Sequence, residues 1–178
     1  QFAAMGLAYA EASGLKDPKV GLLSIGEEEG KGNALVLETY PLLKDALGER
    51  FFGNVEGRDI FLGTAEVVVT DGFTGNVALK LAEGEAKVLL GWIKEALTSS
   101  PLARLGALLA RGALRKVKEK VDPSQYGAMP LLGVEGAVFI GHGSADALAV
   151  KNALLRARSL VAAGLLDRVR AGLSALHV

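Results

Sequence analysis

One pattern occurs three times along this chain: an apolar segment, a polar loop containing glycine, and a helix. The apolar segments are Lys19–Ile25, Ala65–Thr70 and Gly136–Ile140, and the loops after them read GEEEGKGN, DGFTGN and GHGSAD. Strands that alternate with helices are typical of a parallel sheet. The sequence therefore predicts one compact α/β unit with all three loops on the same sheet.

Helical spacing of apolar residues fills the segments between these strands. It predicts an amphipathic helix at the start of the chain and a second helix that Pro41 should kink or split. A short additional strand should precede a turn in which Arg58 and Asp59 pair with each other. The predicted helices are 2–12, 34–47, 77–97 and two after residue 146 that break near Gly164, and the additional strand is Arg50–Val55.

The glycine content indicates what the three loops do. The chain has 23 glycines in 178 residues, about twice the usual share of roughly 7%. Loops at the carboxyl ends of parallel strands gather at one sheet edge, and glycine lets backbone N–H groups form a nest for phosphate or an oxyanion. The alternative is that glycines after strands only make turns. The loop glycines are Gly26, Gly30, Gly32, Gly72, Gly75, Gly141 and Gly143.

Five polar side chains in these loops are candidates for a site, and each has a simpler alternative. Lys31 could bind phosphate or balance the three glutamates before it. Asn33 and Asn76 could contact a substrate or cap the helices that they open. Asp71 directly ends a strand, where a carboxylate has a function or a cap to make. His142 stands between two glycines, where an imidazole can donate to an oxyanion or act as an acid.

Several function classes are excluded or disfavoured by what the sequence lacks. There is no cysteine, which excludes disulfides, thiolate metal sites and a cysteine nucleophile. Walker A, GxSxG and HExxH motifs are absent, and two histidines make a histidine-based zinc site improbable. The 20 basic residues equal the 20 acidic ones, which argues against a nucleic-acid binder. We expect no metal and no cofactor.

The basic residues are concentrated in one stretch. Residues 101–120 contain six basic side chains and Glu119, a balance of +5, whereas the rest of the chain has 14 basic and 19 acidic residues. Ser100 should cap this helical segment, with Pro101 in its first turn, and Gly112 could bend it. A basic amphipathic hairpin can lie on an anionic membrane. The alternatives are packing on the domain, on a partner subunit or on an acidic carrier protein.

Together these segments resemble the PlsX-type phosphate acyltransferases of bacterial phospholipid synthesis. The resemblance rests on VGLLSIGEEEGKGN, GNVEGRDI, VVVTDGFTGNVALKLAEG, PLLGVEGAVFIGHGSADA and AVKNAL, in the family's order. It covers nearly the whole chain, and it matches the C-terminal half of a family member, so an N-terminal half is expected to be absent. The resemblance implies a three-layer αβα, Rossmann-like fold similar to that of isocitrate and isopropylmalate dehydrogenases, with a protruding helical hairpin over 99–122.

The resemblance also implies an activity, partners and site residues. It implies transfer of a fatty acyl group from acyl carrier protein to inorganic phosphate, by a cytoplasmic homodimer at the membrane surface. The implied catalytic residues are Lys31, Asn76 and His142. The implied phosphate- or substrate-binding residues are Gly26, Glu27, Gly32, Asn33, Asn54, Asp71, Gly72, Gly75, Gly143 and Ser144. The implied membrane or dimer hairpin presents Leu102, Leu105, Leu109, Arg111, Arg115, Lys116 and Lys118.

Two other functions stay open at this point. One is a metal- and NAD-dependent dehydrogenase of the related fold, although no nucleotide motif is present and DGFTGN contains a single Asp. The other is a binding or dimerisation fragment that is inactive by itself.

An acyl chain would need an apolar groove, which we expect near Leu131–Val134 and the hairpin.

Overall fold

A computed structural model describes residues 1–122, 125–143 and 145–176. Strands and helices alternate along the first half, and helices dominate the second. The strands are β1 Val20–Leu23, β2 Phe51–Val55, β3 Val67–Val69, β4 Ala128–Pro130 and β5 Phe139–Gly141. The helices are α1 Phe2–Ala12, α2 Ala34–Leu47, α3 Asp59–Leu62, α4 Gly72–Thr98, α5 Pro101–Leu109, α6 Arg111–Val121, α7 Ala147–Ala162 and α8 Leu165–Ser174.

The first three strands form the predicted parallel sheet, in the order β2–β1–β3. Leu22 of β1 lies beside Asn54 on one side and beside Val69 on the other. Parallel pairing brings the carboxyl ends of all three strands to one edge. The segments that follow them, starting at Ser24, Glu56 and Thr70, therefore share that edge. The α/β class and the parallel sheet are confirmed.

Helix α1 lies between two hydrophobic clusters and is buried around most of its surface. On one side Ala3 and Leu7 pack with β1 and with Leu43 of α2. On the other side Met5, Ala8 and Ala12 pack with Leu160 of α7 and with α8. The prediction of an amphipathic helix is wrong because both faces find apolar partners, while Phe2 at its start is exposed.

Two helices differ from the sequence prediction, one in its continuity and one in its start. Helix α2 continues through Pro41, so the expected split does not occur. Helix α4 begins at Gly72 rather than at Val77, because Asp71 caps it and the two glycines enter its first turns. Most of DGFTGN is therefore helix, and Asn76 lies inside α4 instead of opening it.

The third repeat of the pattern does not join the parallel sheet. Strand β5 pairs antiparallel with β4, with Met129 opposite Ile140, and the two form a separate two-stranded ribbon. The partner strand β4 lies in a stretch rich in glycine and proline for which the sequence predicts no strand. The prediction that all three loops belong to one sheet is wrong.

The basic stretch forms two helices, α5 and α6, that follow α4. Ser100 caps α5 through a bond from the Ala103 N–H, and Pro101 is in its first turn, as predicted. The break between the helices is at Ala110, and Gly112 lies within α6. Of the apolar side chains, Leu102 and Leu109 are about four-fifths exposed (79% and 82%). In the part of the chain that the structure describes, no helix has the length and apolar character needed to cross a membrane.

Candidate functional site

The segment after β1, residues 26–33, forms a compact turn that we call loop 1. The N–H of Lys31 donates to the Glu28 carbonyl at 3.0 Å, and the Ser24 hydroxyl donates to the Lys31 carbonyl at 3.0 Å. Gly32 has a φ of +126°, and a methyl group there would lie 2.6 Å from Cγ1 of Val36. Position 32 therefore requires glycine. Loop 1 ends at Asn33, whose Oδ1 caps α2 by accepting from the Val36 N–H.

Asn54 connects β2 to loop 1. Its side chain is nearly inaccessible to solvent, and its Nδ2 donates to the Glu28 carbonyl at 2.8 Å and to the Lys31 carbonyl at 3.4 Å. Ser24 and Asn54 thus hold the same turn from two adjacent strands. The structure brings Gly26, Gly32 and Asn54 together at the carboxyl edge of the sheet.

Two of the three glutamates of loop 1 have cationic partners outside the loop. Glu27 accepts from Arg58 at 3.0 Å, and Glu29 pairs with Lys44 at 3.4 Å. Within the described residues Lys31 has no acidic partner, so the interpretation that it balances these glutamates is not supported. Its ammonium group is an unpaired positive charge at the sheet edge.

Arg58 and Asp59 do not pair with each other as predicted. Arg58 binds the carboxylates of Glu27 and Glu56, and these contacts, the bond to Glu27 first, raise the pKa of Arg58. Asp59 accepts from the Glu56 N–H at 2.7 Å and from the Thr64 hydroxyl at 3.0 Å. The bond from the Glu56 N–H is the main cause that lowers the pKa of Asp59, with smaller contributions from Thr64 and Arg58. Asp59 therefore fixes the turn that carries Arg58 to Glu27.

This geometry predicts how Asp59→Asn changes stability with pH. The lowered pKa means that the ionised carboxylate stabilises the fold above the ordinary aspartate pKa. That contribution is lost as the pH falls from the ordinary range through the lowered pKa of the folded state. We expect Asp59→Asn to lower the free energy of unfolding at about pH 7, and the difference from wild type to shrink toward about pH 3. Denaturant titrations at each pH measure it.

The control for this prediction is Asp45→Asn, which changes an exposed carboxylate on α2. We expect it to change stability little at any pH. An Asp59→Asn difference that stays constant across the titration would contradict the role of the ionised carboxylate.

The segment after β3 is organised by Asp71. Its Oδ1 accepts from the Thr74 N–H at 2.8 Å and its Oδ2 from the Thr74 hydroxyl at 2.6 Å. These bonds, the hydroxyl first, lower the pKa of Asp71. Both oxygens therefore cap α4, which is the simpler of the two interpretations of this residue. Gly72 and Gly75 lie in the first turns of α4, on the same sheet edge as loop 1.

The third group of candidate residues follows β5 and does not lie at the edge of the parallel sheet. His142 and Gly143 follow β5, and the charge of His142 acts on Glu83 of α4, whose pKa is lowered first by its bond from Lys80. Glu83 is seven residues beyond Asn76, about 10 Å along a helix axis. The structure thus associates His142 with the middle of α4 and does not place it on the parallel sheet. Ser144 lies outside the described residues.

Sequence reasoning missed Ser24 and Thr64, two of the side chains that hold the site together. The roles of Ser24 and Thr64 are set by contacts to residues that are distant in the chain or in a turn without a recognised motif. The pair formed by Arg58 and Glu27 spans 31 positions, and local patterns carry no signal for it. An asparagine inside a short apolar strand, as at Asn54, is the one signal that was available. Among the described residues, no three histidine, aspartate or glutamate side chains are grouped as metal ligands.

Comparison with known proteins identifies the family of this chain. A family described as "Fatty acid synthesis protein" matches residues 1–168, which is most of the chain. The chain belongs to this family. In the fatty acid synthesis protein family, curated relatives similar to this chain carry the name phosphate acyltransferase. The resemblance predicted from the sequence segments is therefore confirmed.

Three of these relatives show how far the similarity extends. The protein from Thermus thermophilus is 84% identical over 178 residues, which is 100% of this chain and 55% of the relative. The protein from Elusimicrobium minutum is 53% identical over 96% of this chain and 50% of the relative. The protein from Thermotoga maritima is 48% identical over 97% of this chain and 53% of the relative. The chain thus spans about half the length of the curated relatives that it matches.

Proposed function

We propose that the intact protein transfers a fatty acyl group from acyl carrier protein to inorganic phosphate, forming an acyl phosphate for phospholipid synthesis. The observation that carries this proposal is the unpaired Lys31 on glycine-rich loop 1, at the carboxyl edge of a parallel sheet. Anions bind at such edges. The relatives' name, phosphate acyltransferase, supports a phosphate as the anion.

The proposed chemistry needs no nucleophilic side chain. A phosphate oxygen attacks the thioester carbonyl carbon, a C–O bond forms, and a tetrahedral oxyanion results. The C–S bond then breaks, and the carrier thiol leaves with a proton. The protein must bind the phosphate, align it with the carbonyl and stabilise the oxyanion. Lys31 and the loop N–H groups supply the charge and donors for the first task, and Asn76 and His142 are proposed as further donors.

The alternative functions have less support. A fold similar to that of isocitrate dehydrogenases remains part of this proposal. A metal-dependent dehydrogenase, however, needs a group of carboxylates that bind its metal ion. Asp71 is engaged by Thr74 through both oxygens. The hypothesis of an inactive fragment is compatible with the main proposal, since it concerns the 178-residue chain alone and not the intact protein. Comparing the 178-residue chain with the intact protein for phosphate-dependent consumption of acyl carrier thioester distinguishes them, and no turnover by the intact protein would contradict the proposed function.

The exposed hairpin supports a proposal for where the enzyme works. Helices α5 and α6 combine exposed leucines with a charge of +5 over residues 101–120. Within this hairpin Glu119 already pairs with Arg115 at 2.8 Å, so Lys116 and Lys118 are available to anionic headgroups. We propose that the hairpin lies on an anionic membrane surface, at the cytoplasmic side.

Reversing two hairpin charges should weaken this membrane binding. Each basic residue near an anionic surface contributes about 1 kcal/mol. We therefore expect Lys116→Glu with Lys118→Glu to reduce flotation with anionic vesicles at least about tenfold. The control reverses Lys16 and Lys151, two exposed lysines outside the hairpin, for the same change in net charge. Equal flotation of the wild type and the hairpin variant would instead favour packing of the hairpin on a carrier protein or partner subunit.

Helix α4 supports the proposal of a homodimer. None of its side chains is buried, and its exposed apolar residues include Leu81 and Trp92, which are 68% and 63% exposed. Large apolar side chains exposed along one helix are typical of a surface that another protein covers. The proposed occupant is a second copy of the chain, and sedimentation of the intact protein tests it.

A further inference from the structure

Asn54 is a buried polar side chain whose hydrogen bonds within the described residues go to loop 1. It is 2% exposed, and its Nδ2 donates to the carbonyls of Glu28 and Lys31. Its Oδ1 is buried and accepts no hydrogen bond from any of the described residues. A buried acceptor without a donor weakens a folded protein. The presence of asparagine here therefore needs an explanation other than stability.

The two carbonyls do not depend on Asn54 for a partner. The Glu28 carbonyl also accepts from the Lys31 N–H, and the Lys31 carbonyl also accepts from the Ser24 hydroxyl. A leucine of similar size at position 54 would leave both carbonyls bonded and would remove the unpaired oxygen. The amide of Asn54 instead fixes the orientation of the two carbonyls, because it holds both of them toward β2.

The direction of these carbonyls sets the direction of two N–H groups. In a trans peptide unit the C=O and the following N–H point in opposite directions. With the carbonyls of Glu28 and Lys31 turned toward β2, the N–H groups of Glu29 and Gly32 point away from it. Among the described residues neither N–H donates to a protein acceptor. Both are therefore available on the outer side of loop 1.

We propose that Asn54 is a positioning residue that turns the N–H groups of Glu29 and Gly32 outward to bind a phosphate beside Lys31. This inference rests on the proposed function, and it replaces direct contact of Asn54 with substrate by an action through the backbone. Two N–H groups and an ammonium group are a donor set suited to a phosphate. Asn54 itself touches no reacting atom.

The test compares Asn54→Leu and Asn54→Asp with Val55→Ala in the intact protein. Asn54→Leu removes the donor and the unpaired oxygen, and Asn54→Asp keeps the shape without the donor. Val55→Ala truncates the next, fully buried residue and serves as the control for lost stability. The measurements are the KM for phosphate, the thermal midpoint and the amide NMR shifts of Glu29 and Gly32 during titration with inorganic phosphate.

We expect both Asn54 variants to raise the KM for phosphate about tenfold or more, because small displacements of binding groups are costly. Asn54→Leu should keep its thermal midpoint, and Val55→Ala should lower the midpoint without changing the KM. In the wild type the two amides should shift on phosphate addition, and in the Asn54 variants they should not. Unchanged KM and amide shifts in Asn54→Leu would overturn the positioning role while leaving the proposed function intact. Amide shifts in a wild type that forms no acyl phosphate would overturn the function alone.

Discussion

Replacing Lys31 with alanine should reduce kcat/KM for phosphate about 100-fold in the intact protein, as expected for loss of a charged donor at a reacting anion. The loss should appear in the KM for phosphate as well as in kcat, because the ammonium group contacts the anion before and during the reaction. Adding Asn76→Ala and His142→Ala should lower the rate further. Steady-state kinetics over a range of phosphate concentrations measure each variant.

Lys31→Arg and Lys16→Ala are the matched variants for this result. Arginine keeps the positive charge in loop 1 and should retain part of the activity. Lys16→Ala removes an exposed lysine before β1, at the opposite edge of the sheet, and should change kcat/KM less than about twofold. If the combined Lys31, Asn76 and His142 variant keeps full activity, the assignment of the site is wrong.

Replacing Gly127 with alanine should give the largest loss of stability of any single change considered. A methyl group at this position would lie 2.3 Å from the backbone N of Ala153 and 2.6 Å from the carbonyl O of Ala149. These are main-chain atoms of α7, so a change of side-chain rotamer cannot relieve the contact. The φ of +71° adds strain for any residue with a Cβ. We expect a loss of about 3 kcal/mol or more in the free energy of unfolding.

Gly136→Ala is the control, because a methyl group there meets no other atom within 4 Å. We expect it to change stability by less than about 0.5 kcal/mol. Chemical denaturation of the intact protein compares the two variants. A Gly127→Ala protein as stable as Gly136→Ala would show that the ribbon of β4 and β5 does not pack directly on α7.

The sequence carried enough information to predict the parallel sheet but not the ribbon. Consecutive valines and an apolar segment before glycine identify β1 and β3 locally, and their pairing follows from the helix between strands. Strand β5 has the same local pattern, yet it pairs with β4, three residues in a stretch rich in glycine and proline. Strand pairing is decided by contacts between distant segments, such as that of Gly127 with α7, and no local pattern contains them.

The sequence likewise predicts only part of the candidate site. The glycines and Lys31 of loop 1 follow from their position after a buried strand. The capping bonds of Asp71 were harder to predict because Gly72 and Gly75 disfavour helix, by about 1 kcal/mol each. Asp71 nevertheless starts α4 with two bonds to Thr74. The partners of Glu27 and Asn54 depend on strands β1 and β2 lying side by side, which only the folded chain provides.

Transfer of an isotope label tests whether phosphate itself accepts the acyl group. The intact protein is incubated with acyl carrier thioester and phosphate labelled with ¹⁸O, and the products are examined by mass spectrometry. We predict an acyl phosphate in which the oxygen between carbon and phosphorus carries the label, with one carrier thiol released for each acyl phosphate formed. Unlabelled fatty acid, with its new oxygen derived from water, would contradict it.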